Sequence, residues 1–192
     1  MRVPVRGPAE RESAMSSDPE PSPAGSRLLL IRHAKAVPKG DPAEDFERAL
    51  GERGRADAPR TGRWLAEHGY TPDLALCSPS RRTRQTWQLL VPALSDPPDA
   101  VYDERLYNAA PHALATVLTE RGAGLGCLAL VGHNPGIHEL ATALCGSGPE
   151  ELLEQLRDGF PTSGVVVVDL AGGWEELTPG KGRLTAMWGP DH

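Results

Sequence analysis

Two apolar runs in this chain each end on a histidine. Leu28-Leu29-Leu30-Ile31 passes directly into Arg32-His33-Ala34-Lys35, and Leu128-Ala129-Leu130-Val131 passes into Gly132-His133-Asn134-Pro135-Gly136. Between them lies a basic stretch, Ser78-Pro79-Ser80-Arg81-Arg82-Thr83-Arg84-Gln85-Thr86. Arginines combined with histidines match what a phosphoryl group demands. Guanidinium forks grip phosphate oxygens bidentately and stay charged at any cellular pH. A neutral imidazole nitrogen can attack phosphorus and carry the group covalently. A second imidazole can offset charge on the equatorial oxygens in the transition state, and helix N-termini after Ser78 and Pro135 would add backbone N–H donors. An Arg-His pair after one strand is ordinary solvated loop; the weight lies in the joint occurrence.

Residues so distant in sequence share a site only if the fold brings their strand ends together. Four consecutive branched aliphatics fit a strand buried on both faces, and open α/β sheets place ligands at the carboxyl ends of such strands. The pattern predicts a helix over residues 52–68, with Ala56, Trp64 and Leu65 on one side, Gly69 at its end and Pro59 as a kink or break. Strands are expected at 73–77, 100–102, 125–131 and 165–168, with an edge strand at 183–188. Helices are expected at 80–90, 111–121, 136–144 (closed by Gly146) and 150–157. Residues 38–48, interrupted by Pro38, Gly40 and Pro42, read as a loop, with Glu44, Asp45 and Glu47 as loop charges. Strands alternating with helices imply a three-layer α/β/α sandwich around a largely parallel sheet.

The 192 residues suit one domain with a substantial core, and 39% hydrophobic with 24% charged residues is ordinary for a globular protein. A net charge of −6 argues against general nucleic-acid binding, and no apolar run approaches the roughly 20 residues a membrane helix needs. Cys77, Cys127 and Cys145 are few, odd in number and without metal-like spacing, which points to a reduced, cytoplasmic setting. Cys77 and Cys127 are expected as packed thiols. His68, His112, His138 and His192 form no His-x-x-x-His pair, so no metal site is expected. Residues 1–26, rich in Pro, Ser and Gly, read as a disordered tail ahead of a domain over 27–192. They contain no signal-peptide apolar core, and Met15 is an alternative start.

Four segments in order resemble the histidine phosphatase superfamily and, within it, the SixA-type phosphohistidine phosphatases. They are Leu30-Ile31-Arg32-His33-Ala34-Lys35, Glu47-Arg48-Ala49-Leu50-Gly51-Glu52-Arg53-Gly54, the stretch from Ser78 to Thr86, and Val131-Gly132-His133-Asn134-Pro135. The resemblance covers roughly residues 27–189 and implies a phosphoglycerate mutase-like fold that needs no metal or cofactor. It implies that His33 is the transiently phosphorylated nucleophile and that Arg32, Arg82 and His133 hold the phosphate. Arg82 is singled out over Arg81 and Arg84 by its matching place alone. Glu104 stands where many members carry a proton-donating carboxylate. A phosphohistidine leaving group would depend on it little, an alkyl phosphate heavily. Lys35, next to the nucleophile, either steers an anionic substrate or faces solvent.

The implied partner is a phosphorylated protein carrying phosphohistidine, or a small phosphomonoester; neither nucleic acid nor membrane is implied. Only the helix at 111–121 separates Glu104 from the fourth strand, which favours an open cleft and hence a protein substrate. Lys35-Ala36-Val37 departs from the mutase pattern. A small-molecule phosphomonoesterase is the alternative reading. A catalytically silent phosphate-binding module is disfavoured by the intact set of Arg32, His33, Arg82 and His133.

Overall fold

A computed structural model describes residues 25–190. Residues 1–24 of the expected tail lie outside that range, but Ser26 already belongs to the first strand and is buried. Seven strands form one sheet: β1 Ser26–Arg32, β2 Leu74–Cys77, β3 Ala100–Tyr102, β4 Cys127–Gly132, β5 Cys145–Ser147, β6 Val165–Leu170 and β7 Gly182–Trp188. Their order is β3-β2-β4-β1-β6-β7-β5. β3, β2, β4 and β1 run parallel, while β6 is antiparallel to both β1 and β7.

The helices are α1 Glu52–Glu67, α2 Arg81–Leu90, α3 Pro111–Gly122, α4 Gly136–Leu144 and α5 Glu150–Asp158. Because side chains alternate along a strand, the apolar run of β1 feeds both layers. Leu28 and Leu30 join Leu118 of α3, Leu140 of α4 and Leu156 of α5 on one face. Leu29 and Ile31 join Leu65 of α1 and Leu90 of α2 on the other. The result is the expected three-layer sandwich.

The fold departs from the sequence expectation at three places. The segment at 38–48 is not all loop: Pro42–Glu47 winds into a 3₁₀ helix. β7 is not the edge, because β5 pairs outside it; three residues around Gly146 carry too little pattern to show as a strand. Pro59 lies inside a continuous α1 and does not split it.

Register aligns the site. Arg32 pairs with Gly132 across β1 and β4, and Cys77 pairs with Val131 across β2 and β4. His33, His133 and Ser78 therefore emerge at the same carboxyl edge, with the backbone of His33 donating to the Gly132 carbonyl at 3.0 Å.

Candidate active site

The two imidazole centroids stand 5.2 Å apart. The His33 Nδ1 lies 2.8 Å from the Ala34 carbonyl. A carbonyl only accepts, so Nδ1 carries the proton and Nε2 keeps its lone pair. Burial, reinforced by the positive fields of Arg82, Arg32 and Arg48, lowers the His33 pKa to about 4, so the ring is neutral near pH 7 and its Nε2 is nucleophilic. Its backbone is pinned from two sides. The Ala34 N–H donates to Thr86 Oγ1 of α2 at 2.9 Å, and the Ser163 N–H donates to the His33 carbonyl at 3.2 Å.

His133 shows the opposite tautomer. Arg82 Nη2 approaches its Nδ1 at 3.2 Å; a guanidinium only donates, so Nδ1 accepts and the Nε2 proton goes to Ser78 Oγ at 2.7 Å. Burial, the neighbouring His33 and Arg82 together push its pKa down to about 2.

Of the three arginines opening α2, Arg82 turns inward and is 2% exposed, while Arg81 is exposed and Arg84 faces Glu47 at 3.9 Å. Arg82 donates to the Asp45 carbonyl at 2.6 Å and to the Asp45 carboxylate at 3.1 Å. Arg32 at the end of β1 donates to the Phe160 carbonyl at 2.6 Å, and Asn134 donates to the same oxygen at 3.1 Å. The Nε atoms of Arg32 and Arg82 are buried without an acceptor, so both guanidinium groups retain donor capacity. These side chains line a cleft of about 850 Å³ together with Arg48, Asp45 and Thr162.

Lys35 is exposed and borders the cleft. Glu104 does not join the other candidates in lining the cleft. It begins the 3₁₀ turn Glu104–Leu106 and is exposed. His138 is also elsewhere, tying α4 to α5 through the Leu156 carbonyl at 2.6 Å. Cys77 and Cys127 are packed thiols, each pushed up to about 12, chiefly by burial.

Sequence reasoning missed Asp45, Arg48, Tyr107 and the loop at 159–164. Asp45 accepts from the Tyr107 hydroxyl at 2.8 Å and from Arg48 Nε at 3.1 Å. Burial raises its pKa, but the Tyr107 hydroxyl, Arg82 and Arg48 outweigh that and bring it down to about 2, so it is ionised. The available signal was the Asp45-x-x-Arg48 spacing immediately ahead of Ala49-Leu50-Gly51. The 159–164 loop acts through backbone groups, the Phe160 carbonyl and the Ser163 N–H, for which no side-chain signal exists.

The arrangement combines an unprotonated imidazole nitrogen, a second imidazole and three guanidinium groups at one sheet edge. It can accept a phosphoryl group on His33 and hold its oxygens. Comparison with known proteins points the same way. The profile of the Histidine phosphatase superfamily (branch 1) matches residues 28–111. An uncharacterised protein of Mycobacterium tuberculosis H37Rv is 37% identical over 163 residues, covering 83% of this chain and 99% of its own. The crystal structure of an Agrobacterium tumefaciens protein assigned as phosphohistidine phosphatase SixA is 34% identical, with a TM-score of 0.73 over 86% of this chain and 98% of that one. A protein histidine phosphatase SixA complexed with tungstate shares the fold at a TM-score of 0.68 and 22% identity, over 86% of this chain and 97% of its own.

Proposed function

From the premise that the chain belongs to the histidine phosphatase superfamily (branch 1) and is of the SixA type, we propose that this phosphatase hydrolyses phosphohistidine on a protein, through a covalent phosphohistidine at His33. The observation that carries the reading is the tautomer of His33. Its Nδ1–H is spent on the Ala34 carbonyl, leaving Nε2 as the lone pair beside Arg32, Arg82 and His133 in the cleft.

In the first step Nε2 attacks phosphorus as the bond from phosphorus to the substrate imidazole breaks; that ring carries a solvent-derived proton on its other nitrogen and leaves as neutral imidazole. In the second step water attacks phosphorus, the bond to Nε2 breaks, and orthophosphate leaves with His33 restored. The guanidinium groups of Arg32, Arg48 and Arg82 supply the positive charge facing the phosphoryl oxygens, so no metal is called for.

The choice of leaving group rests on the acids. Asp45 is held ionised and Glu104 stands outside the cleft. A positioned general acid contributes roughly 10²–10⁴ in rate where an alkoxide must leave. A phosphoimidazole ring takes a proton from solvent on its other nitrogen near neutrality, the imidazolium reference pKa being about 6.5, and so leaves as neutral imidazole without a positioned acid. Lys35 at the cleft border suits an anionic protein surface. Three free cysteines, none in a disulfide among the described residues, fit the proposed cytoplasmic setting.

The test compares wild type with Glu104→Gln on a phosphohistidine peptide and on p-nitrophenyl and sugar phosphates. Fast peptide hydrolysis, unchanged by the substitution, is expected. Preference for a sugar phosphate with a large Glu104 effect would make the protein a small-molecule phosphomonoesterase.

A further inference from the structure

We infer that Asp45 is a positioning residue for the phosphoryl site, holding Arg82 in the one orientation in which that guanidinium serves both the phosphoryl oxygens and His133. The inference rests on the proposed phosphoryl chemistry and extends it to a residue on a different element.

Arg82 is a long side chain at the start of α2, and a free arginine samples many rotamers. Asp45 removes that freedom with two contacts from one residue. Its backbone carbonyl takes Nη1 at 2.6 Å and its carboxylate takes Nη2 at 3.1 Å. Two contacts to two nitrogens fix both the plane and the roll of the guanidinium. That orientation places Nη2 against His133 Nδ1 at 3.2 Å, so Asp45 acts through Arg82 on the tautomer of the second histidine. Nε, which has no acceptor, and the second N–H of Nη1 remain uncommitted.

Asp45 is itself braced. The Tyr107 hydroxyl donates to it at 2.8 Å, and the Tyr107 ring meets His133 edge-on at 5.5 Å and lies 5.8 Å from the Arg82 guanidinium carbon. Arg48 donates to Asp45 at 3.1 Å through Nε and to the Val37 carbonyl at 3.0 Å through Nη1, tying the assembly to the loop that follows the nucleophile. Asp45 thus joins four pieces of chain that the sheet alone does not connect: the 3₁₀ helix, the start of α2, the turn carrying Tyr107 and the loop after His33.

A carboxylate so close to an anion site has one other physical role, as a competitor that phosphate must displace. The two roles predict opposite signs. The experiment measures tungstate binding at pH 8 by calorimetry, kcat and KM on a phosphohistidine peptide, and the ¹⁵N shifts of His133, in wild type, Asp45→Ala, Asp45→Asn and Tyr107→Phe, with folding checked by thermal unfolding.

Loss of an outer-shell partner typically weakens a site 10–100-fold. Asp45→Ala is therefore expected to weaken tungstate by roughly that factor and to lower kcat and kcat/KM together, as for an interaction realised in the transition state. It should also shift the His133 nitrogens away from the Nε2–H pattern. Asp45→Asn, which keeps an acceptor oxygen, should recover part of the loss, and Tyr107→Phe should show a smaller effect of the same sign.

A folded Asp45→Ala that binds tungstate as tightly as wild type, or more tightly, overturns the inference alone. A wild type that binds no tungstate and turns over no phosphohistidine peptide overturns the phosphoryl reading, and the inference with it.

Discussion

His33 and His133 are both neutral, yet they expose different nitrogens because different partners claim them. A backbone carbonyl fixes the proton of His33 on Nδ1, whereas a guanidinium and a hydroxyl fix that of His133 on Nε2. His33→Ala should therefore abolish turnover and eliminate ³²P retention on the protein after brief exposure to labelled substrate. The fold should survive, because the residue follows the end of β1 and does not fill its middle; substantial residual turnover would remove His33 as nucleophile. Arg82→Ala should lower kcat by roughly 10²–10³, the scale for losing one preorganised donor. Arg81→Ala should change it little, since Arg81 is exposed. Kinetics on the two variants decide the matter, and a larger loss at Arg81 would refute the assignment. At this scale the gathering of Arg32, His33 and His133 in one cleft was legible, because each stands at a strand end. Asp45 was not legible. It lies in a segment punctuated by Pro38, Gly40 and Pro42, and its spacing to Arg48 gains meaning only when the fold sets Arg82 and Tyr107 against it.

The elements that carry these residues are held together by close backbone approaches as much as by apolar burial. A Cβ placed on Gly54, in the first turn of α1, would collide with the Lys35 backbone; one on Gly62 would collide with the Leu90 carbonyl at the end of α2. Gly62→Ala should destabilise the fold by about 1–3 kcal/mol, the range for overpacking, even though alanine favours a helix by about 1 kcal/mol. Gly54→Ala disturbs the segment tied through the Gly51 N–H to the Lys35 carbonyl at 2.9 Å, two residues from His33. It should lower activity by more than its loss of stability explains. Urea midpoints set beside kcat for the two variants separate these expectations; equal activity losses at equal stability would contradict the second. The long elements were legible because burial on two faces writes unbroken runs such as Val165-Val166-Val167-Val168. β5 was not, because a three-residue edge strand around Gly146 is specified by pairing with β7 and leaves no periodicity behind.

For the whole molecule, the site makes stability depend on pH. The imidazoles of His33 and His133 fall from the reference 6.5 to about 4 and about 2 on folding. The unfolded chain therefore binds protons that the folded chain refuses. The stability linked to each ring is complete above about pH 6.5 and is lost as pH falls towards the folded value, at about 1.4 kcal/mol per pH unit per group. Asp45 works in the same direction lower down. Its carboxyl moves from 3.8 to about 2, so its contribution is complete above about pH 3.8 and disappears on further acidification. The thermal midpoint should accordingly fall between pH 6.5 and 4. A bound dianion reverses the balance at both rings, since it favours the imidazolium that burial disfavours. Sulfate keeps its charge of −2 across this range, which makes it the suitable probe. Ligand at 100 times its Kd raises stability by about 2.7 kcal/mol. Because protonation and sulfate binding are coupled at His33 and His133, the gain in midpoint from sulfate should be larger at pH 5 than at pH 8, and the excess should vanish in His33→Ala/His133→Ala. Scanning calorimetry at the two pH values measures it, and a sulfate effect independent of pH would mean that anion binding leaves both imidazoles neutral.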